Sequence, residues 1–255
     1  MELVDTHSHL HFNSFEPNRE EVLDAAAKAG VSRIICVGTT LEDSHNACHY
    51  AYDKDGVWAT AGVHPHEAEA FLDDKAAIDK LAGLLKSPKI VAVGEIGLDY
   101  YKSTTPKDIQ QKALRIQLEI GLAAKLPFSF HVRDAWSDFW EVIDDYNGVS
   151  GVVHSFSSGR KQLDAALSRG LYIGLNGIMT FTKDEAQLEA ARQVPIDKLL
   201  LETDAPFLTP APLRNEKCEP RHTAITAEFL ANLRGESIQD LASATTSNAI
   251  KLFKL

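Results

Sequence analysis

Hydrophobic positions fall into two textures that alternate along the chain. Short runs of β-branched and apolar residues, with little polar alternation, occur at residues 3–5, 33–37, 58–63, 90–95, 128–131, 151–154, 172–175 and 199–202. Between them, apolar residues recur at helical spacing. Runs of the first kind are expected of strands covered on both faces, and their alternation with helices predicts a parallel sheet with crossover helices. Eight such units within 255 residues predict one α/β domain over residues 1–255, a (β/α)8 barrel of TIM-barrel type.

The helices follow from spacing and punctuation. Residues 19–29 carry Val22, Leu23, Ala26 and Ala29 on one side and stop at Gly30. Pro106 opens a helix over 106–124 that contains Ile109, Leu114, Ile116, Leu118 and Leu122, and residues 236–255 predict a closing helix. No linker, repeat or low-complexity stretch interrupts the series.

Composition narrows the setting. A content of 44% hydrophobic residues allows a large core. No apolar run reaches the roughly 18 to 20 residues needed to span a bilayer, and Met1-Glu2-Leu3-Val4-Asp5 enters a strand with no basic segment before it. A cytoplasmic monomer without membrane contact is therefore the expectation. The three cysteines, Cys36, Cys48 and Cys218, form no CxxC pair and support neither a disulfide framework nor a cysteine zinc site. A net charge of -10 argues against a broad nucleic-acid-binding face, although bound cations could still make a local positive pocket.

The chemistry-bearing residues gather at strand ends: Asp5, His7, His9, His64, Glu95, Asp99, His131, His154 and Asp204. The C-terminal strand ends of a barrel converge on one face, so residues distant in sequence are expected to meet there. His7 and His9 alternate on an extended segment and can point the same way as metal ligands. Glu95 lies in an apolar strand, where a buried carboxylate needs a cation or a proton; its two oxygens suit a bridge between two cations. His131 and His154 end adjacent strands and can complete a second ion's shell. Asp204 closes the set and can also take a proton from water, while Glu202, still inside its strand, is expected to support a ligand. The expected metal set is thus His7, His9, Glu95, His131, His154 and Asp204, with Asp204 and Glu95 in catalytic roles.

His64, Tyr100 and Arg133 are expected to bind substrate, Arg133 by clamping a phosphate oxygen. Arg221 and His222 are weaker candidates for the same task. His45 and His49 lack a third ligand and are expected on a solvated face, and His11 is expected to have no special role. Two divalent ions held this way would activate water for hydrolysis, with Mg, Mn and Zn as the candidates.

The blocks Asp5-Thr6-His7-Ser8-His9-Leu10, Gly62-Val63-His64-Pro65-His66, Gly94 through Tyr100, Pro127 through His131 with Arg133, His154-Ser155-Phe156 and Leu201 through Pro206 resemble, in order, those of the TatD family of metal-dependent deoxyribonucleases among the amidohydrolase-like barrels. The resemblance implies that His7, His9, Glu95 and Asp204 bind one divalent cation, and that Glu95, His131 and His154 bind the other. It implies phosphodiester hydrolysis of DNA, often from the 3′ end, by a hydroxide bridging the ions, with single-stranded DNA as the partner. The chain departs from the family pattern at His11, where an aspartate is more usual, and at residues 214–220, where Arg-Gly-Lys-x-Asn-Glu-Pro is usual. Two other readings stand beside it: a small-molecule amidohydrolase or phosphoesterase using the same ions, and a non-catalytic binding barrel.

Overall fold

In a computed structural model describing all residues 1–255, the strands are β1 (Leu3–Ser8), β2 (Val31–Val37), β3 (Val57–Ala61), β4 (Ile90–Asp99), β5 (Phe128–Arg133), β6 (Gly151–Val153), β7 (Tyr172–Leu175) and β8 (Leu199–Leu201). They run in sequence order through one eight-stranded sheet, and helical segments separate them, as the (β/α)8 reading predicts. The chain's contacts group into two compact units, Met1–Cys36 with His154–Leu255, and Val37–Val153.

In the first unit, β1 pairs in parallel with β2, with Asp5 opposite Ile34, and β7 pairs in parallel with β8, with Leu175 opposite Leu201. β1 continues past Asp5 because Thr6, His7 and Ser8 are all buried and meet the segment after β8. There the His9 N–H donates to the Ala205 carbonyl at 2.7 Å and the Asp204 N–H donates to the His7 carbonyl at 2.8 Å. The helix Arg19–Lys28 ends where Gly30 takes φ +89°, and the closing helix is Ile238–Phe253, begun by Ser237, whose hydroxyl accepts the Asp240 N–H at 3.0 Å. Cys36 fills core space, fully buried.

In the second unit, β3 to β6 pair in parallel in order. Every residue of β4 is buried. The strand does not stop at Glu95 but continues to Asp99. Its ladder with β5 shifts between Val93, opposite Phe128, and Ile96, opposite Phe130. Three steps on β4 against two on β5 make a bulge, a device that re-aims side chains, and Glu95 sits in it.

The long helix Lys107–Ala124 turns Gln110, Ala113, Leu114, Gln117, Leu118 and Gly121 inward, leaving Ile109, Ile116 and Leu122 half-buried. The two glutamines are inside because strand-end backbone groups need partners there. Gln117 accepts the Val63 N–H at 2.7 Å and donates to the Val63 carbonyl at 3.0 Å. Gln110 accepts the Asp99 N–H at 2.9 Å and donates to the Asp99 and Thr105 carbonyls. Each glutamine thus pins the chain beside a candidate site residue. No helix is long and apolar enough to cross a membrane.

Candidate metal centre

Within the first unit, His7, His9, His154 and Asp204 come together. The His7 and His154 rings stack at 3.6 Å between centroids, and His9 meets His7 edge-on at 5.3 Å. Asp204 has φ +64°, which lets its side chain turn back toward β1. Its Oδ1 lies 3.7 Å from His7 Nε2 and 3.4 Å from His9 Nε2. Two atoms each about 2.0 to 2.1 Å from an ion, at a tetrahedral angle, stand roughly 3.4 Å apart, so these separations fit shared ligation. Burial opposes ionisation of Asp204, but the hydrogen bond from His9 and the charges of His154, His7 and His9 outweigh it and hold the carboxyl below its ordinary value.

Two further carboxylates brace this group. Asp5 Oδ1 accepts the Thr203 N–H at 2.9 Å and the His7 N–H at 3.3 Å, and Oδ2 accepts the Thr203 hydroxyl at 2.6 Å. Burial pushes Asp5 up to about 8, against those hydrogen bonds. Glu202 lies beyond the last residue of β8 rather than inside the strand. Its Oε1 accepts the Ser155 N–H at 2.6 Å and stands 3.1 Å from His154 Nδ1. A proton held at Nδ1 leaves Nε2 as a lone-pair donor, the arrangement that orients metal-binding histidines. Glu202 Oε2 is buried with no hydrogen-bond partner, and ligand atoms of His7, His154 and Glu202 lie within 4.8 Å of one another. The donor set therefore fits a divalent cation. Gly174 makes room for the Glu202 carboxylate, since a Cβ there would stand 2.3 Å from Glu202 Oε2.

The second unit brings together Glu95, His131 and His64, whose ligand atoms also lie within 4.8 Å of one another. His131 sits between two carboxylates, with Nδ1 2.9 Å from Glu95 Oε1 and Nε2 3.1 Å from Asp99 Oδ2. The same logic applies: a proton kept at Nε2 by Asp99 turns Nδ1 toward Glu95 Oε1. Burial opposes ionisation of Asp99, but the hydrogen bonds from His131 and from the Lys102 and Tyr101 N–H groups hold it far below the usual carboxylate range. His64 Nε2 lies 3.8 Å from Glu95 Oε1, and its Nδ1 accepts the His66 N–H at 3.3 Å. Burial foremost pushes His64 down to about 3, so the ring is neutral at ordinary pH. The structure thus groups His64, expected from the sequence to bind substrate, with Glu95 and His131 as a set of residues that could hold a metal ion.

The remaining candidates separate. The Tyr100 hydroxyl donates to Asp138 Oδ2 at 2.8 Å and accepts from Gln111 at 3.0 Å; burial, with Asp138, pushes it up to about 12. Arg133 is exposed, its guanidinium 4.2 Å above the Tyr101 ring. His222 Nδ1 accepts the Glu219 N–H at 3.1 Å and Arg221 pairs with Glu219 at 2.9 Å, both in a helix cap. His45 and His49 are exposed, and His11 is buried against Phe12. Sequence reasoning left Asp99 and Glu202 without defined partners. A carboxylate at or just past a strand end that also carries histidines was the available signal.

Over residues 4–254 the sequence matches the model of the family described as TatD related DNase. It is 34% identical over 256 residues to the uncharacterized metal-dependent hydrolase YabD of Bacillus subtilis, with 99% of each chain covered. It is 35% identical over 261 residues to the 3′-5′ ssDNA/RNA exonuclease TatD of Cronobacter sakazakii, covering 98% of this chain and 97% of that one. Among solved structures, the TatD homologue YjjV of Escherichia coli K12 superposes with a TM-score of 0.93 at 30% identity, over 99% of this chain and 98% of that one.

Proposed function

The chain belongs to the TatD related DNase family and is a metal-dependent hydrolase, and from that premise we propose that it removes nucleotides from the 3′ end of single-stranded DNA. The observation that carries this reading is the identity, over nearly the whole of both chains, with a relative named as a 3′-5′ ssDNA/RNA exonuclease. In the proposed centre, His7, His9, His154 and Asp204 of the first unit and Glu95 and His131 of the second would serve as ligands of divalent cations, with Mg, Mn and Zn as the candidates.

Bound divalent ions supply Lewis acidity toward phosphoryl oxygens and ease the deprotonation of water. The chain's own residues supply orientation and proton handling. Glu202 Oε1 keeps the Nδ1 proton of His154, and Asp99 Oδ2 keeps the Nε2 proton of His131, so each imidazole presents one fixed nitrogen. Asp204, held ionised with Oδ1 facing His7 and His9, accepts the proton of the attacking water at its other oxygen. The neutral His64 and the guanidinium of Arg133 contact the phosphate.

The net charge of -10 favours a second reading, a small-molecule amidohydrolase or phosphoesterase on the same ions. Oligonucleotides labelled at either end, assayed with Mg, Mn or Zn beside amides, lactones and simple phosphoesters, separate the two. The nuclease reading expects loss of the 3′ label first and loss of activity in Asp204→Ala. Intact DNA alongside hydrolysis of a small amide or ester overturns it.

A further inference from the structure

The turn that follows β4 carries an exposed ring that the catalytic group does not use. Tyr101 is 61% exposed, and Arg133 covers it with a guanidinium 4.2 Å from the ring centroid. The two residues are set by the end of the β4–β5 ladder, where Asp99 stands opposite Arg133 and the Tyr100 N–H donates to the Arg133 carbonyl at 2.9 Å. Asp99 ties the turn to the metal group. Its Oδ2 faces His131 Nε2 and His66 Nε2 at 3.1 Å each, while its Oδ1 accepts the Tyr101 and Lys102 N–H groups at 2.9 Å each. One carboxylate therefore fixes both a candidate ligand and the backbone that presents the ring.

We propose that Tyr101 and Arg133 form a platform that receives one nucleotide of a single-stranded DNA substrate, Tyr101 stacking on the base and Arg133 holding a phosphate. This inference rests on the nuclease reading above. An aromatic ring held out to water on a pinned turn has little to gain from its own fold. A nucleobase that stacks on it regains that apolar contact, in a manner tolerant of base identity. The guanidinium already stands 4.2 Å over the ring, a contact that uses its charge and not its N–H groups, which can therefore donate to a phosphate oxygen. Lys102 and Lys107 are also exposed, and Lys107 lies 4.4 Å over the neighbouring Tyr100 ring. In a chain of net charge -10, that clustering of cations beside an open ring matches the charge and the flat faces of a single strand. Tyr100 does not share the task, because its hydroxyl is engaged by Asp138 and Gln111.

The test compares kcat/KM on a short oligothymidylate with kcat/KM on methyl p-nitrophenyl phosphate, an ester without a base, using the manganese-loaded full chain. Losing one stacked base lowers the oligonucleotide-to-ester ratio roughly tenfold in Tyr101→Ala, and Tyr101→Trp restores it. Arg133→Gln reduces the salt slope of log kcat/KM on the oligonucleotide by about 0.7, the share of one single-strand phosphate contact. Tyr52→Ala, which removes another exposed ring, 64% accessible on the helix Leu41–Tyr52, leaves the ratio at the wild-type value. A Tyr101→Ala ratio equal to wild type, in an enzyme that cleaves the oligonucleotide, overturns the platform and leaves the nuclease reading standing. A wild-type protein that hydrolyses the ester and not the oligonucleotide overturns both.

Discussion

The group around His7, His9, His154 and Asp204 and the group around Glu95, His131 and His64 use one device in two settings. In each, a carboxylate engages one nitrogen of a histidine and so sets the direction of the other. In the first group that carboxylate, Glu202, is fully buried, fixed by the Ser155 N–H, and keeps one buried oxygen without a hydrogen-bond partner. In the second it is Asp99, shared among His131, His66 and two turn N–H groups, beside a His131 side chain that is 19% exposed. The first group is assembled by hydrogen bonds between the chain's start and its last quarter; the second lies largely along two neighbouring strands. The first is therefore the more tightly specified, its three histidines buried although the Asp204 side chain is 17% exposed, and the second is coupled to a surface turn.

The largest expected effect comes from the first group. Asp204→Ala, which deletes a proposed ligand and proton acceptor together, lowers hydrolytic activity by well over the roughly 10- to 100-fold typical of changes behind a metal ligand, with its far-ultraviolet circular dichroism retained. A residual rate within a few-fold of wild type breaks the assignment. The two orienting carboxylates come next. Glu202→Gln and Asp99→Asn each weaken divalent-ion binding, measured by titration calorimetry, by about 10- to 100-fold. The Glu202 change is expected to be the larger, because Asp99 shares its hold on His131 with Glu95. The reverse order contradicts the contrast drawn between the groups.

Smaller effects fall on stability. Gln117→Leu leaves the Val63 N–H and carbonyl unsatisfied in the second unit, costing about 1 to 3 kcal/mol per group. For a domain of this size each kcal/mol lowers Tm by roughly 2 to 4 °C. A Tm equal to wild type shows that water replaces the glutamine. The smallest is a pH effect in the first unit. Burial, with the Arg221 charge, lowers His222 below its ordinary value, and its Nδ1 must stay unprotonated to accept from Glu219. The unfolded chain therefore binds a proton that the folded one refuses. The corresponding stability is complete above about pH 6.5 and falls as pH drops below it. His222→Asn flattens the slope of unfolding free energy over that range in urea titrations; an unchanged slope excludes His222 as its source.

Much of this was legible in the sequence, for physical reasons that also mark where legibility stops. Strands covered on both faces produce unbroken apolar runs, so all eight could be located. Their ends were less visible. β1 runs on through Thr6, His7 and Ser8 because those polar residues are buried against the segment after β8, and β4 runs to Asp99 through a bulge at Glu95. β6 and β8 stop one residue before His154 and Glu202. His7, His9, Glu95, His131, His154 and Asp204 stood out as candidates because acids and imidazoles are rare at the ends of apolar strands. Partners were not. The Glu202–His154 contact joins residues 48 apart, and nothing local encodes it. The inward placing of Gln110 and Gln117 has no local signal either, since only the fold reveals the backbone groups they satisfy.

Metal ions held by these groups are proposed to serve hydrolysis at the 3′ end of single-stranded DNA. The most direct measurement follows 3′- and 5′-labelled oligonucleotides with metal-stripped protein as Mn is added back, alongside Asp204→Ala. Metal-stripped protein is expected to leave the DNA intact, restored Mn to release the 3′ label first, and the variant to do neither. Full-length DNA at every metal concentration, or equal cleavage by Asp204→Ala, would contradict the proposal.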